Sequence, residues 1–476
     1  MNSAARDVAI DTGSRTLARL TTRTDTLGVS DAGELTVDSW SVPDLVTEYE
    51  SPLFILSESV LRANYARVRD AFSRRWPAEV NVMYAIKANN NLAVRAVMAS
   101  LGAGGDCFSE GEILATVRGG ADTRKLALNG SNKSDAALRA AVRIGMTINV
   151  DSDHELSRIL MLASDLGQQA RICVRLRLQS PAFDRYVRDH PGAVDLNEIL
   201  RRRENGLSVA AAATMLGRAR SEPAVIAEGC HFHLGWVSDD PVVYQTWAGV
   251  LGAAIVDLHR ETGFWPAVVD VGGGLARERE PESGDRSTRN PWTVEDYAAA
   301  ITSPLLSAFS GVDLPVPQLW LEPGRYIVGN AGVLAARVGG IRQDLGRTWV
   351  HVDASVNDLA RADTAGWDYD CLPASRMHEP LDISADVVGS LCMGEPLSRS
   401  CHLPALGRGD VVAFLDAGMY AEVASTQYNA IPRPATVLTT PDVVDLIKVR
   451  ETVDDIFAHH RIPERLTTTD AVRIPQ

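Results

Sequence analysis

The sequence predicts an α/β protein, a (β/α)8 barrel followed by a mostly β domain. Three observations carry that prediction. From Ser51 onward, short apolar runs alternate with amphipathic, helix-like stretches. The alternation lasts for about eight or nine strand–helix steps over roughly 280 residues, the count and length of a closed barrel of parallel strands. After Gly324 the helix-like stretches stop, and strand-like pieces separated by turns take over. A doubly wound open sheet is the alternative reading of the same alternation. The expected division is an N-terminal arm over 1–50, in part mobile and in part packed on the β domain, a barrel over 51–328, and a β domain over 329–476.

The elements follow in order. "PLFILS" reads as a strand and "SVLRANYARVRDAF" as an amphipathic helix. "VNVMYAIK", "AGGDCFS", "RKLALNG" and "MTINVD" are the next strands, each leading into a helical pattern. "ARICVRLRL" is followed by an irregular insertion before "SVAAAATMLGRAR". "VIAEGCHFHLG", "AVVDVGGG" and "PQLWLEPG" complete the series. The polar stretch between Ala276 and Asn290 is expected to be a surface loop.

Composition narrows the partners. The formal charge is 47 − 61 = −14 over 476 residues, which disfavours nucleic acid and anionic membranes. The basic run "RRRE" at Arg201–Glu204 reads as a solvated helix face. Six scattered cysteines do not form a disulfide framework, the N-terminal stretch has no long apolar core, and no apolar run is long enough to span a bilayer. A cytoplasmic location is expected.

A barrel gathers its functional residues at the C-terminal ends of its strands. Lys87 stands there, where a buried strand has no use for a charge. A placed, desolvated lysine amine forms Schiff bases, although a strand-end lysine is more often a surface residue. The triplet Gly272, Gly273 and Gly274 lets backbone N–H groups approach an anion, or simply makes a tight turn. Glu322 and Arg325 flank a Pro-Gly turn. A carboxylate at a pyridine nitrogen keeps that nitrogen protonated and an arginine suits a phosphate, while a plain ion pair is the alternative. His231 and His233 share one strand face. With no further ligands at familiar spacing they predict no metal site, and a ring stacked on a flat cofactor is the other use. Cys392 lies in a loop after a strand, where a free cysteine is usually a small hydrophobe.

Together these residues resemble the fold-type III pyridoxal-phosphate decarboxylases, which act on diaminopimelate, ornithine and arginine. The resemblance runs from about Ser51 to Val437 and is strongest to the diaminopimelate branch. It rests on "YAIKANNN", "GDCFSEGE", "NGSNKS", "HFHLGW", "DVGGG", "EPGRYIVGNAG", "DAGMY" and "YNAIPRPATVL", in that order. It implies an alanine-racemase-like barrel that binds pyridoxal 5'-phosphate through a Lys87 Schiff base. His233 would stack on the ring, and Gly272, Gly273, Gly274 and Tyr420 would meet the phosphate, with Arg325 nearby. Glu322 would face the ring nitrogen, and Asp106 and Glu112 would lie behind the cofactor. Cys392 would reprotonate the product from the neighbouring subunit of a homodimer. Arg361, Glu395 and Tyr428 are the expected substrate contacts. The implied reaction is decarboxylation of an amino acid to an amine.

Three departures stand out. Met393 follows the cysteine where the family carries an acidic residue. Trp236 replaces the serine that reaches the phosphate. "NDLARADTAGWDY" replaces the family's Arg-Pro-x-Leu-Tyr, with Arg361 as its relic. They count against diaminopimelate and ornithine as substrates and point to a specialised biosynthetic decarboxylase with a rebuilt recognition end, acting on a modified or carrier-bound amino acid. A racemase or epimerase is one rival, against which Glu322 argues because such enzymes commonly place arginine at the ring nitrogen. A catalytically silent cofactor-binding homologue is the other.

Overall fold

The structure is a computed structural model that describes residues 11–22, 25–282, 284–392 and 396–466. Eight parallel strands close into a barrel in sequence order: β1 Val80–Ala85, β2 Gly104–Cys107, β3 Leu126–Leu128, β4 Thr147–Val150, β5 Ala170–Arg175, β6 Val225–His231, β7 Val268–Asp270 and β8 Gln318–Leu321. Short, mostly apolar runs suit strands buried on both faces, with helices outside. Serine caps start many of these helices. The hydroxyls of Ser57, Ser109, Ser134, Ser152 and Ser208 each accept a first-turn N–H. Met83, Ala127, Cys173, Val268 and Trp320 form a small separate cluster from five different strands, the side-chain plug expected inside such a barrel. The insertion after β5 contains two helices, Pro181–Asp189 and Leu196–Arg202. The longest helix, Pro241–Thr262, is apolar enough to cross a membrane, but it packs on helix Val294–Phe309 and buries Tyr244, Trp247, Leu251 and Ile255.

The second unit is a nine-stranded sheet. One strand in it corrects the expected order. "PLFILS" (Leu53–Ser57) is not the first barrel strand. It lies inside the second sheet, antiparallel to Gly332–Asp344 and parallel to Ala435–Thr439. A five-residue run buried throughout looks the same in either sheet, and only long-range pairing decides between them. The barrel therefore begins with helix Glu58–Ser73, and the boundary at 51 falls a strand too early. Where the chain returns from the barrel, Ser57 N donates to the Ala331 carbonyl at 2.7 Å.

The N-terminal arm is also more ordered than expected. From Asp11 its described residues form helix Gly13–Leu20, a small three-stranded sheet and helix Val42–Tyr49. Leu17, Leu35, Val37, Val42, Leu45 and Val46 join one apolar cluster with Leu53, Ile55, Val333 and Val437 of the large sheet. Val42, Leu45 and Val46 stand at the helical spacing i, i+3 and i+4, but the run is too short to stand out in the sequence.

The expected surface loop at 276–290 is surface only in part: Asp285, Ser287 and Thr288 are exposed, whereas other residues of the segment are buried. Arg277, Glu280 and Asn290 are at most 3% exposed, because their charges and amides are matched. Arg277 pairs with Asp416 and Glu280 with Arg325, while Asn290 Nδ2 donates to the Arg277 carbonyl.

Candidate functional site

The site lies at the C-terminal ends of the barrel strands. Past β1 the chain turns through Ile86–Ala88 into helix Leu92–Ser100. The asparagines behind Lys87 wire that turn. Asn91 caps the helix through Ala93 N, and Asn89 accepts from Asn91 N and donates to the Gly418 carbonyl. Lys87 Nζ is thereby aimed at Asp106 Oδ2, 2.6 Å away, and lies 4.2 Å from the Phe108 ring centroid. Its side chain keeps 35% exposure, enough to be reached, whereas Asp106 keeps none. Glu112 acts one step back, accepting Phe108 N at 2.6 Å and so fixing the ring beside the lysine.

Asn129 joins this pair to the opposite wall. Its Nδ2 donates to Asp106 Oδ1 at 2.8 Å and to Glu322 Oε1 at 2.6 Å, and Asn149 holds it from behind. Burial opposes the Lys87 charge, but Asp106 and Glu322 outweigh it and raise the lysine pKa. Burial and the nearby Glu322 push Asp106 up to about 6. Burial likewise opposes ionised Glu322, but the His231 imidazole and the Lys87 ammonium hold it below the usual carboxylate range. Asp270 goes the other way, raised by burial and by Glu322. The floor thus separates one carboxylate kept charged from two that hold protons more readily.

His231, Asp270 and Glu322 place ligand atoms within 4.8 Å of one another. This is a possible metal-binding trio that sequence spacing did not reveal, because its members come from three separate strand ends. Both ring nitrogens of His231 and Asp270 Oδ2 are buried without a hydrogen-bond partner.

The glycine loop is tightly specified. Gly272 and Gly274 have φ of 67° and 95°. A Cβ on Gly272 would sit 2.4 Å from His233 Nδ1, and one on Gly273 would sit 2.0 Å from the Glu322 carbonyl. Two of its three N–H groups are already used. Gly272 N donates to Asp270 Oδ1 at 2.9 Å, and Gly273 N donates to His233 Nδ1 at 3.1 Å. His233 therefore carries its proton on Nε2, and burial, followed by Lys87, keeps the ring neutral. The three successive N–H groups of Gly274, Leu275 and Ala276 have no acceptor among the described residues. The anion cradle is thus shifted along the loop from the triplet, with Gly272 and Gly273 fixing the histidine.

Arg325 supports this loop from below. Its guanidinium donates to the Gly274 carbonyl and pairs with Asp239 and Glu280. Its charge is already matched, so it braces the loop where the sequence suggested a free cation at the phosphate. Burial opposes its charge, but Glu280 and Asp239 prevail and keep the arginine charged.

Arg361 is arranged differently. It is 7% exposed and Nη1 has no acceptor. Its Cζ stands 3.7 Å from the Trp367 ring centroid, 5.1 Å from Trp236 and 5.5 Å from Tyr420. Tyr420 ties this box to the lysine turn, since its N–H donates to the Ala88 carbonyl from a left-handed backbone, φ 53°.

Cys392 is not joined to this cluster within one chain. It is exposed, with Sγ 3.4 Å from Tyr428 Oη and 3.5 Å from Asn429 Oδ1. Contact with Cys392 raises the Tyr428 phenol. Glu395 and Met393 lie outside the described residues. Asn129, Asp270, Asp239 and Glu280 are the functional side chains that sequence reasoning missed. The first two stand inside quoted motifs, and the last two have no local signal.

The lysine, the flat neutral imidazole, the open N–H cradle and the ionised Glu322 fit a pyridoxal phosphate group in shape and chemistry. Comparison with known proteins agrees. Residues 59–329 match the family model described as the pyridoxal-binding domain of pyridoxal-dependent decarboxylases. Diaminopimelate decarboxylase from Methanothermobacter thermautotrophicus is 33% identical over 92% of this chain and 98% of its own length. The same enzyme from Synechocystis is 32% identical, over 91% of this chain and 92% of its own. The crystal structure of diaminopimelate decarboxylase from M. jannaschii, 28% identical, superposes with a TM-score of 0.86 over 93% of this chain and 99% of that one.

Proposed function

The chain belongs to the pyridoxal-dependent decarboxylase family, and from that premise we propose that its substrate is an amino acid with a second carboxylate at its far end, diaminopimelate or a modified relative. It is a carboxy-lyase that uses pyridoxal phosphate on an amino acid. When bound, that cofactor takes up the electron pair left as the substrate carboxylate departs as carbon dioxide. The chain's own residues do the rest. Lys87 is the amine that would hold the cofactor aldehyde, with Asp106 and Phe108 fixing its position. His233 offers a flat neutral face, locked by Gly273 N. The N–H groups of Gly274, Leu275 and Ala276 would take the phosphate, which Tyr420 approaches. Glu322, kept ionised and oriented by Asn129, would hold the proton on the ring nitrogen. A racemase gains from a weaker electron sink, so this carboxylate favours decarboxylation.

The observation that carries the substrate class is Arg361, a buried guanidinium that stands against the rings of Trp367, Trp236 and Tyr420 and whose Nη1 has no acceptor among the described residues. The substitutions at Trp236 and Met393 point away from a distal carboxylate, and the unmatched Arg361 points back to one. The relatives named above are diaminopimelate decarboxylases, and one structural neighbour is a complex with L-lysine, the product type such a reaction leaves. The proposed working unit is a homodimer. The exposed Cys392–Tyr428 pair has no role within its own chain, and in that arrangement it serves the neighbour's Lys87 with a thiol proton.

Carbon dioxide release is to be measured with diaminopimelate, ornithine, arginine and lysine. Release is expected from the dicarboxylate alone. Gas from the monocarboxylates only would overturn the substrate class, and chiral inversion without gas would overturn the decarboxylase reading. A Lys87→Ala variant should lose the visible absorbance of the bound cofactor.

A further inference from the structure

Trp236 stands where the family resemblance expects a serine, and the chemistry described so far leaves its indole unused. Two guanidinia stand over the ring. Arg325 Cζ is 4.2 Å from its centroid and Arg361 Cζ is 5.1 Å. The two cations are unlike, since Arg325 is matched by Asp239 and Glu280 while Arg361 makes no ion pair among the described residues. Trp236 Nε1 donates to Asp239 Oδ1 at 3.1 Å, the same oxygen that accepts from Arg325. That bond fixes the rotation of the indole. On the other side Trp367 approaches Arg361 to 3.7 Å and meets Trp236 at a ring separation of 5.6 Å and an angle of 60°.

Rings satisfy the face of a guanidinium but not its N–H edge. A buried N–H without an acceptor carries a desolvation cost that an incoming anion removes. The aromatic walls therefore leave Arg361 one direction of use, an edge-on, two-pronged contact with a planar anion such as a carboxylate. A serine at position 236 would supply a hydroxyl but no wall.

We propose that Trp236 is a positioning residue for the distal group of the substrate: locked by Asp239, its indole keeps Arg361 dry and edge-on to the pocket, so that the chain reads a far carboxylate through an aromatic-walled arginine. This rests on the substrate class inferred above. It also identifies what replaced the phosphate-side hydroxyl. Phosphate recognition falls to the N–H groups of Gly274, Leu275 and Ala276, and position 236 becomes a specificity element.

The test is calorimetric binding to the cofactor-loaded protein, with pimelate as a dicarboxylate that has no amine and cadaverine as a diamine of matching length that has no carboxylate. In Trp236→Ser, pimelate is expected to bind about tenfold or more weakly, or about 1.4 kcal/mol, with cadaverine affinity and cofactor absorbance unchanged. Trp236→Phe keeps a ring but loses the bond to Asp239, and an intermediate loss of pimelate is expected. In turnover, KM for the dicarboxylate should rise in Trp236→Ser with kcat held. Trp367→Phe alters the same guanidinium from the other side and should repeat the pattern, which keeps the idea testable should Trp236→Ser fail to fold. Unchanged pimelate binding in these variants, or equal weakening of both probes, would overturn the proposal. If the wild type binds pimelate but releases no carbon dioxide from diaminopimelate, the substrate reading fails while the clamp stands. If it releases carbon dioxide and Trp236→Ser still binds pimelate normally, the clamp fails and the reading stands.

Discussion

Arg325 and Arg361 are both buried against one indole, yet they solve the problem of a buried charge in opposite ways. Arg325 sits in the polar floor under the glycine loop, where two carboxylates and a carbonyl occupy its donors. Arg361 sits in an aromatic box and makes no ion pair among the described residues. A matched cation contributes rigidity, because its removal strands its partners. An unmatched cation contributes affinity, because the partner it lacks is a ligand. The floor builds the machine that every substrate uses, and the box selects which substrate enters.

Four changes break or sharpen that contrast. Arg325→Met strands Asp239 and Glu280 and should lower unfolding stability by about 3–5 kcal/mol, read from denaturant midpoints. Glu322→Gln leaves the floor's shape but removes its fixed negative charge, and kcat should fall by about 10²–10³ with cofactor still bound. Arg361→Met should leave thermal stability unchanged or higher, while KM for a dicarboxylic substrate rises about tenfold to a hundredfold, the value of a hydrogen bond to a charged group. A loss of stability equal to that of Arg325→Met would erase the contrast.

Asp358 supplies the smallest test. It is a buried carboxylate held by Ser355 N and Ser355 Oγ without an ion pair, and burial pushes it up to about 6. An acid whose folded pKa is raised supports the fold fully below its unfolded value near 3.8. That support is lost as the pH climbs through 6. Asp358→Asn should therefore match the wild type at the acid end and exceed it at pH 8 by on the order of 2 kcal/mol, read from paired melting curves.

The barrel and its catalytic end were legible in the sequence because both follow local rules. Strand–helix alternation sets the barrel, and Lys87, the glycines and Glu322 each end a strand in plain view. What escaped depends on contacts between distant segments. Asn129 earns its place only because it touches Asp106 and Glu322 at once. Leu53–Ser57 has no local mark of which sheet it enters. Arg325 and Glu280 look like surface charges until the fold pairs them, and Trp236 looks like a damaged serine site until Arg361 and Trp367 arrive from much later in the chain. Period and propensity describe neighbours in sequence, whereas charge matching and ring stacking do not.

The crossing at Ser57 and Ala331 has a consequence for how such chains diversify. The polypeptide leaves the large sheet and re-enters it on adjacent, hydrogen-bonded strands, so the whole barrel is an excursion whose entrance and exit touch. Ends that close together impose little loop-closure cost. The barrel is in effect a cassette with two splice points side by side. A grafted barrel from a relative would need no new linker, and the clamp, with Trp236 on the cassette and Trp367 and Arg361 on the sheet side, would be rebuilt or broken at that single seam.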